Sequence, residues 1–360
     1  MIRPAKHVAA MSAYALADLS VPEGTRLVSL SQNESLRPPS PRTLTAAAGA
    51  MADAQLYPDP DWTDLRQALS ALHDIPAETI LCGNGSMELI AAITQSFADE
   101  NGAVLAPCHS YPFFKTAARL ARARFDAAPE ADGTVSVDHL LDAVQPDTRI
   151  VFIANPGNPT GTRISRNHLV RLRNGLPDHI LLVIDEAYGE FADHLNEPAF
   201  DLVERGNTVV LRTMSKAYGL AGMRVGWGVF PPEIAGEARK VMNPNNVSIT
   251  GQAAARAAVE DQAYMRETCT ITHDLRDAFI QRIRSAGFNV ADSFTNFALI
   301  KFDSSKDAED ADNALRAQGV FLRAQGGAGL PACLRVTIGD RQELDLTASL
   351  LEQWQEGAIA

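Results

Sequence analysis

The segment from residue 209 to residue 228 reads VVLRTMSKAYGLAGMRVGWG and combines an apolar run, a lysine and a glycine-rich turn. The apolar residues 209–211 are typical of a buried strand, and Ser215 and Lys216 follow soon after it. A lysine in such poorly hydrated surroundings has a lowered pKa, because desolvation disfavours its charged form. The segment therefore predicts an amine that acts as a nucleophile and forms a Schiff base with an aldehyde.

Ser215 and Arg224 give this lysine a second kind of neighbour. A hydroxyl group and a fixed cation suit a phosphate monoester. A small molecule that carries both an aldehyde and a phosphate is pyridoxal 5'-phosphate, which is the predicted cofactor. The alternative is an ordinary junction between a strand and a helix, with a lysine at the surface.

Composition limits the classes of protein to which the chain can belong. With 360 residues, 46% of them hydrophobic, the chain is expected to form one large domain or two closely joined ones. Its net charge of −12 argues against nucleic acid or an anionic membrane as a partner. The four cysteines form no CxxC pair, which favours reduced thiols in a cytoplasmic protein without a zinc site. The first twenty residues resemble neither a signal peptide nor a membrane span.

Strands and helices alternate through the first two thirds of the chain. Strands are predicted at 27–30, 79–82, 103–106, 150–154, 180–184 and 209–211. Helices are predicted at 41–54, 64–72, 89–97, 113–122, 165–174 and 201–205. The pattern is typical of an α/β domain with a mostly parallel sheet and with functional loops at the carboxyl ends of its strands.

The pattern changes after Pro244, which is the predicted domain boundary. A long helical stretch is expected over 250–286, strands over 294–302 and 334–338, and a helix over 308–318. These elements predict a smaller α+β domain. The expected organisation is an N-terminal arm (1–40) that packs on the small domain, a large domain (41–244) and the small C-terminal domain (245–360).

Three loops of the large domain carry further candidate residues. Gly85, Ser86 and Met87 lie where a strand passes through glycines into a helix, which favours either anion binding or a plain helix start. Asn158 projects from the rigid turn 155–161. Asp185 ends a buried strand and needs a cation or a proton donor, for which a pyridinium nitrogen is one partner. A metal ion or an arginine is the alternative partner.

NPGNPTG at 155–161, IDEAY at 184–188 and MSKAYGLAGMRVGW at 214–227 together resemble the signature of the fold-type I pyridoxal-phosphate-dependent aminotransferases. The resemblance extends over the whole chain and is strongest to the histidinol-phosphate aminotransferases. SQNES, LYPDP, HSYPFF, GVFLRAQGG and CLRVTIG resemble segments of that group. Departures from its pattern are Met87 in place of an acidic residue, Ser35-Leu36 in place of Asn-Pro, and His109 before the aromatic segment.

The resemblance implies a role for each matching residue. Lys216 would hold the cofactor and carry a proton, and Asp185 would hold the pyridinium proton. The 3'-oxygen would be bound by Tyr188 and Asn158, and the ring would stack on Tyr111. The phosphate would be held by Gly85, Ser86, Met87, Ser215 and Arg224, with Tyr57 reaching across from a second subunit. The substrate would be bound by Tyr14, Asn33, Asn158, Arg323 and Arg335.

The reaction implied by this resemblance is amino transfer from histidinol phosphate to 2-oxoglutarate by a homodimer, as a step of histidine biosynthesis. Arg335 would serve a carboxylate as readily as a phosphate, so an aromatic or other amino-acid aminotransferase is an alternative. A decarboxylase of threonine phosphate on the same scaffold is another. A pyridoxal-phosphate-binding regulator is disfavoured, because the chain is acidic and has no DNA-binding segment.

Overall fold

The computed structural model describes residues 2–11, 21 and 24–359, so Tyr14 lies outside the described residues. The strands are β1 Val28–Ser29, β2 Ile80–Asn84, β3 Ala103–Pro107, β4 Arg124–Ala128, β5 Thr148–Ala154, β6 Leu181–Asp185, β7 Thr208–Thr213, β8 Val225–Val229, β9 Asn289–Val290, β10 Phe297–Lys301, β11 Val320–Phe321, β12 Arg323–Gln325 and β13 Leu330–Thr337. The α-helices are α1 Lys6–Ala9, α2 Pro41–Ala50, α3 Thr63–His73, α4 Ser86–Phe97, α5 Pro112–Leu120, α6 Val137–Asp142, α7 Arg166–Gly175, α8 Gly189–Ala192, α9 Pro232–Arg239, α10 Ile249–Val259, α11 Gln262–Ser285, α12 Ser305–Ala317 and α13 Arg341–Gln355.

A seven-stranded sheet in the order β2-β8-β7-β6-β5-β3-β4 forms the centre of the larger part of the protein. β8 runs antiparallel to its two neighbours, and the other adjacent pairs are parallel. β3, β6 and β7 are buried along their whole length, as strands covered by helices on both faces should be. The predicted α/β fold with a mostly parallel sheet is confirmed, and the loops that follow β2, β3, β5, β6 and β7 share one edge.

β4 and β8 belong to this sheet although the pattern of apolar residues did not predict them. β4 is an edge strand with a single fully buried residue, so it lacks the apolar run of a buried strand. β8 reads VGWGV, in which glycines replace the usual β-branched residues. The predicted helix at 201–205 is a 3-10 helix, Phe200–Arg205.

A second hydrophobic core lies under the four-stranded antiparallel sheet β12-β13-β10-β9. Side chains of α11, α12 and α13 fill this core, so the predicted smaller α+β unit is confirmed. β1 pairs in parallel with β11, and Val28 and Leu30 belong to the same core. Val28 and Leu30 are therefore part of the C-terminal hydrophobic core.

The helical stretch predicted over 250–286 consists of two helices in the structure, α10 and α11, separated at Glu260 and Asp261. α10 packs against α2 and α3, and Met265 and Cys269 of α11 still belong to the first core. Phe279, Ile280 and Ile283 of α11 belong to the second core. The two cores therefore meet inside α11, beyond Pro244.

None of the described helices is both long and apolar enough to cross a membrane.

Candidate active site

Lys216 lies three residues beyond the end of β7, at the carboxyl edge of the main sheet. Its ammonium group donates a hydrogen bond to the carbonyl oxygen of Asn33 at 2.9 Å. Burial is the main cause that lowers the pKa of this amine to about 8, and the positive charges of Arg335 and Arg224 act in the same direction. A sizeable fraction of the amine is therefore neutral near physiological pH, as a nucleophile requires.

Asp185 is the last residue of β6, and only 3% of it is exposed. Its Oδ1 accepts a hydrogen bond from the backbone N–H of Ala187 at 3.0 Å. Burial nevertheless raises its pKa to about 7, and the charge of Glu186 adds to this effect. An arginine is the alternative partner predicted for Asp185, but Arg212 forms its ion pair with Glu186, at 3.0 Å. The Asp185 carboxyl group is thus suited to a cationic N–H partner that is not a protein side chain.

Tyr188 connects this carboxyl group to the N-terminal segment. Its phenol oxygen accepts a hydrogen bond from Nδ2 of Asn33 at 2.8 Å, and its ring meets Phe297 edge-on at 5.2 Å between centroids. The Nζ atom of Lys216 lies 5.8 Å from the centroid of the Tyr188 ring. The structure therefore brings Lys216, Tyr188 and Asn33 into one cluster.

The N-terminus of α4 faces a hydroxyl group and a guanidinium group. No described side chain caps this helix, whose first backbone N–H groups belong to Ser86 and Met87. Gly85 has a φ of +76°, and a Cβ atom there would collide with the guanidinium of Arg224. Nη1 of Arg224 donates to Oγ of Ser215 at 3.4 Å. These groups together form a cradle for a small anion such as a phosphate.

Gly226 on β8 allows this cradle to form. A Cβ atom on Gly226 would collide with the backbone nitrogen of Ser86. The glycine-rich sequence of β8, which hid the strand from prediction, therefore lets the end of α4 lie directly on the sheet.

Arg335 on β13 approaches the same cluster from the smaller core. Its Nη1 donates to Oδ1 of Asn158 at 2.6 Å, and its Nη2 donates to the carbonyl oxygen of Ser31 at 3.0 Å. Its guanidinium also lies 5.2 Å from the centroid of the Phe297 ring. Arg335 is therefore held from two sides and cannot move freely.

Arg323 is the direct cross-strand partner of Arg335 in the β12–β13 pair. Residues paired in this way project from the same face of a sheet, so both arginines point to one side. Arg323 is half-buried, and no described residue accepts a hydrogen bond from its guanidinium. Arg323 forms no ion pair with an acidic residue among the described residues. Two adjacent cations without a carboxylate between them favour an anionic ligand.

Two aromatic residues complete the predicted set. Tyr111 precedes α5 and meets Phe114 edge-on at 5.7 Å between centroids. Tyr57 is 86% exposed and lies outside the cluster within one chain.

Three residues near the cluster were not among the predicted site residues. Thr337 accepts the backbone N–H of Asn33 at 2.9 Å, and Asn296 donates to the carbonyl oxygen of Asn33 at 3.2 Å. Ser31 contributes only a backbone carbonyl, which no side-chain pattern can indicate. Thr337 lies two residues after Arg335 on the same strand, so the two-residue period of a strand could have indicated it.

Comparison with known proteins gives matches over almost the whole chain. Residues 25–351 match the family model of aminotransferases of class I and II. A histidinol-phosphate aminotransferase of Rhodospirillum centenum is 40% identical over 343 residues, which cover 94% of each chain. One of Paramagnetospirillum magneticum is 41% identical over 334 residues, or 91% of this chain and 92% of the relative. The crystal structure of the histidinol-phosphate aminotransferase of Sinorhizobium meliloti in complex with pyridoxal 5'-phosphate superposes with a TM-score of 0.93 at 29% identity, and 99% of each chain is covered.

Proposed function

Since the chain belongs to the class I and II aminotransferase family, we propose that it transfers the amino group of histidinol phosphate to 2-oxoglutarate. The enzyme is a pyridoxal-phosphate-dependent aminotransferase. Histidinol phosphate carries a phosphate where an ordinary amino acid carries its α-carboxylate, so the choice between these substrates depends on the anion that the site accepts. The pairing of Arg323 with Arg335 is the observation that carries the proposal.

The described residues fit the cofactor at each of its polar groups. Gly85, Ser86, Met87, Ser215 and Arg224 would hold its phosphate in the cradle. Asp185 would accept the hydrogen bond of its ring N–H, because this buried carboxyl group forms no ion pair with a described side chain. Tyr188 and Asn158 would donate to its phenolic oxygen, Tyr111 would stack on its ring, and Lys216 would hold it covalently.

When bound, the cofactor supplies an electron sink that stabilises the negative charge developing on the substrate carbon. Lys216 moves the proton, and a pKa of about 8 lets its Nζ both accept and release a proton at neutral pH. The negative charge of Asp185 would keep the ring nitrogen of the bound cofactor protonated. Asn33 holds Nζ of Lys216 through its carbonyl oxygen and the Tyr188 phenol through its amide, so one residue orients both groups.

Two guanidinium groups suit a dianionic phosphate better than they suit a single carboxylate. Arg335 is fixed by Asn158 and Ser31, whereas Arg323 has no described acceptor and keeps its donors for a ligand. Each guanidinium offers a planar fork of N–H donors that matches phosphate oxygens. A single carboxylate can be bound by one such fork, so the second arginine supports a phosphate-bearing amino donor.

Replacing Arg323 with alanine is expected to lower kcat/KM for histidinol phosphate by roughly 10²-fold, since a charged hydrogen bond contributes about 1.5–3 kcal/mol. Turnover of an amino acid with a carboxylate, such as phenylalanine, should change much less. Steady-state kinetics with both substrates measure this difference, and Arg266→Ala, which removes an exposed arginine, serves as the matched control. Equal losses on both substrates would contradict the role of Arg323.

The wild-type protein itself tests the substrate proposal. Single turnovers with histidinol phosphate, threonine phosphate and amino acids can be followed through the absorbance of the cofactor. Conversion to the pyridoxamine form by histidinol phosphate is the expected result. No reaction with histidinol phosphate would rule out the proposed substrate, and release of carbon dioxide from threonine phosphate would favour the decarboxylase.

We also propose that the enzyme is a homodimer whose site includes Tyr57 of the second subunit. Tyr57 is exposed together with the apolar residues Leu44, Met51 and Leu56, which is unusual for a surface that faces only water. A groove of about 880 Å³ lies between α2, which carries Leu44, and the helices α3 and α10. A second copy of the chain on this surface would cover these side chains.

The free cysteines support a cytoplasmic location, where thiols remain reduced.

Tyr57→Phe is expected to weaken cofactor binding roughly 3- to 10-fold, because the phenol loses one hydrogen bond to a phosphate while its ring stays in place. Equilibrium dialysis of the cofactor gives the dissociation constant, and analytical ultracentrifugation gives the mass at the same concentration. A monomer with full activity would exclude a site shared between two chains.

A further inference from the structure

His109 connects the main sheet to the small antiparallel sheet. Its Nδ1 atom lies 2.9 Å from the carbonyl oxygen of Ala328. A carbonyl oxygen can only accept, so Nδ1 carries the hydrogen and donates it. Ala328 belongs to the turn of residues 326–329, called here the glycine turn, which joins β12 to β13. These two strands carry Arg323 and Arg335.

The glycine turn has few other constraints. Gly326, Gly327 and Gly329 are exposed, and the N–H of Gly329 bonds only to Gly326 within the turn. Among the described residues, the hydrogen bond from His109 is the one that joins this turn to the main sheet. A Cβ atom on Gly329 would lie 3.4 Å from Nδ1 of His109, so the imidazole packs directly on the turn.

The backbone of His109 is held by the main sheet. The preceding residue, Cys108, donates its backbone N–H to the carbonyl oxygen of Ala128 at 2.9 Å, which extends the β3–β4 pairing up to the histidine. The half-buried carboxyl group of Glu130 faces the backbone N–H of His109. The imidazole therefore projects from the end of the β3–β4 pairing onto the glycine turn, two residues before Tyr111.

We propose that His109 is a positioning residue for the anionic group of the substrate. Its hydrogen bond to Ala328 holds the glycine turn against the main sheet and thereby keeps Arg323 in place beside Arg335 before the substrate binds. Without the bond, substrate binding has to order the turn first, which weakens affinity. The inference rests on the proposed function, since it assumes that Arg323 binds the phosphate of the amino donor.

The test compares His109→Ala with His109→Asn in the holoenzyme. The asparagine side-chain amide can place an N–H close to the position of Nδ1–H, so it is the conservative replacement. Hydrogen exchange by mass spectrometry is read on peptides that span 324–330. We expect His109→Ala to speed exchange of these amides about 3- to 10-fold, the equilibrium effect of losing one neutral hydrogen bond, and His109→Asn to restore the wild-type rate. Unchanged exchange in His109→Ala would overturn the proposal whatever the substrate is.

Kinetics provide the second measurement. His109→Ala should raise KM for histidinol phosphate by the same factor and leave kcat and cofactor affinity unchanged, with recovery in His109→Asn. The inhibition constant of inorganic phosphate should rise in parallel. A fall in kcat with KM unchanged would overturn the positioning role. Failure of the wild type to use histidinol phosphate would instead reject the proposed function. In that case the exchange rates and the binding of inorganic phosphate would still decide the role of His109.

Discussion

Lys216→Ala is expected to lower the rate of amino transfer on the order of 10⁴-fold or more, because removal of one member of a catalytic unit disables the whole unit. The alanine lacks both the nucleophile that holds the cofactor and the base that moves the proton. The variant should remain folded, since among the described residues Nζ of Lys216 donates hydrogen bonds only to the carbonyls of Gln32 and Asn33. Single-turnover kinetics and circular dichroism measure the two properties.

Chemical labelling provides the control for this prediction. Borohydride treatment of the wild-type holoenzyme should fix the cofactor on the peptide that contains Lys216. Lys240→Ala, which removes an exposed lysine paired with Glu237, should leave both labelling and rate unchanged. A label on Lys240 or Lys115 would show that Lys216 does not hold the cofactor.

The lowered pKa of Lys216 also predicts how cofactor uptake depends on pH. Only the neutral amine attacks, and its fraction rises as the pH passes through about 8. The rate at which the cofactor-free protein captures pyridoxal 5'-phosphate should therefore rise from pH 6.5 to about pH 8.5 and then level off. A midpoint near the ordinary lysine value of about 10.4 would contradict the effect of burial.

Asp185→Asn is expected to slow the chemical step about 10²-fold or more, because a buried charge-assisted hydrogen bond contributes about 3 kcal/mol. The amide keeps the shape of the side chain but removes the charge that keeps the ring nitrogen protonated. Pre-steady-state kinetics measure the step, and Asp178→Asn, at an exposed carboxylate, is the matched control. A rate near that of the wild type would exclude this role for Asp185.

The same substitution should stabilise the cofactor-free protein. The folded pKa of Asp185 is about 7 and lies above its ordinary value of 3.8, so burial of the ionised group costs free energy that grows as the pH rises between these values. Asp185→Asn should therefore raise the free energy of unfolding at pH 8 by up to about 4 kcal/mol. The gain should shrink as the pH falls toward 5. Denaturant unfolding at both pH values measures it.

The sequence predicted the part of the site that lies at strand ends. Lys216, Asp185 and Asn158 each follow or end a buried strand, and parallel strands bring their carboxyl ends to one edge. Buried apolar runs predicted most of those strands. The edge strand β4 and the glycine-rich β8 lack such runs, so they could not be predicted in this way.

The part of the site that could not be predicted depends on contacts between distant residues. Asn33 bonds Tyr188 and Thr337, which are 155 and 304 residues away. Nothing in the local sequence indicates such partners. The pairing of Arg323 with Arg335 also depends on the register of a hairpin with a shift at Ala324, which composition does not determine.

The pairing of β1 with β11 has a consequence for how the protein is made. Val28 and Ser29 leave the ribosome early, but their partners Val320 and Phe321 are synthesised almost three hundred residues later. At 5–20 residues per second this delay is roughly 15 to 60 s. During that time β1 is an unpaired strand edge that can associate with other nascent chains. Closing so long a loop is also entropically slow. The main sheet can therefore form while the chain is still being translated. The pocket around Asn33 is completed only near the end of synthesis. A chaperone that acts at this last step would raise the yield of active enzyme most.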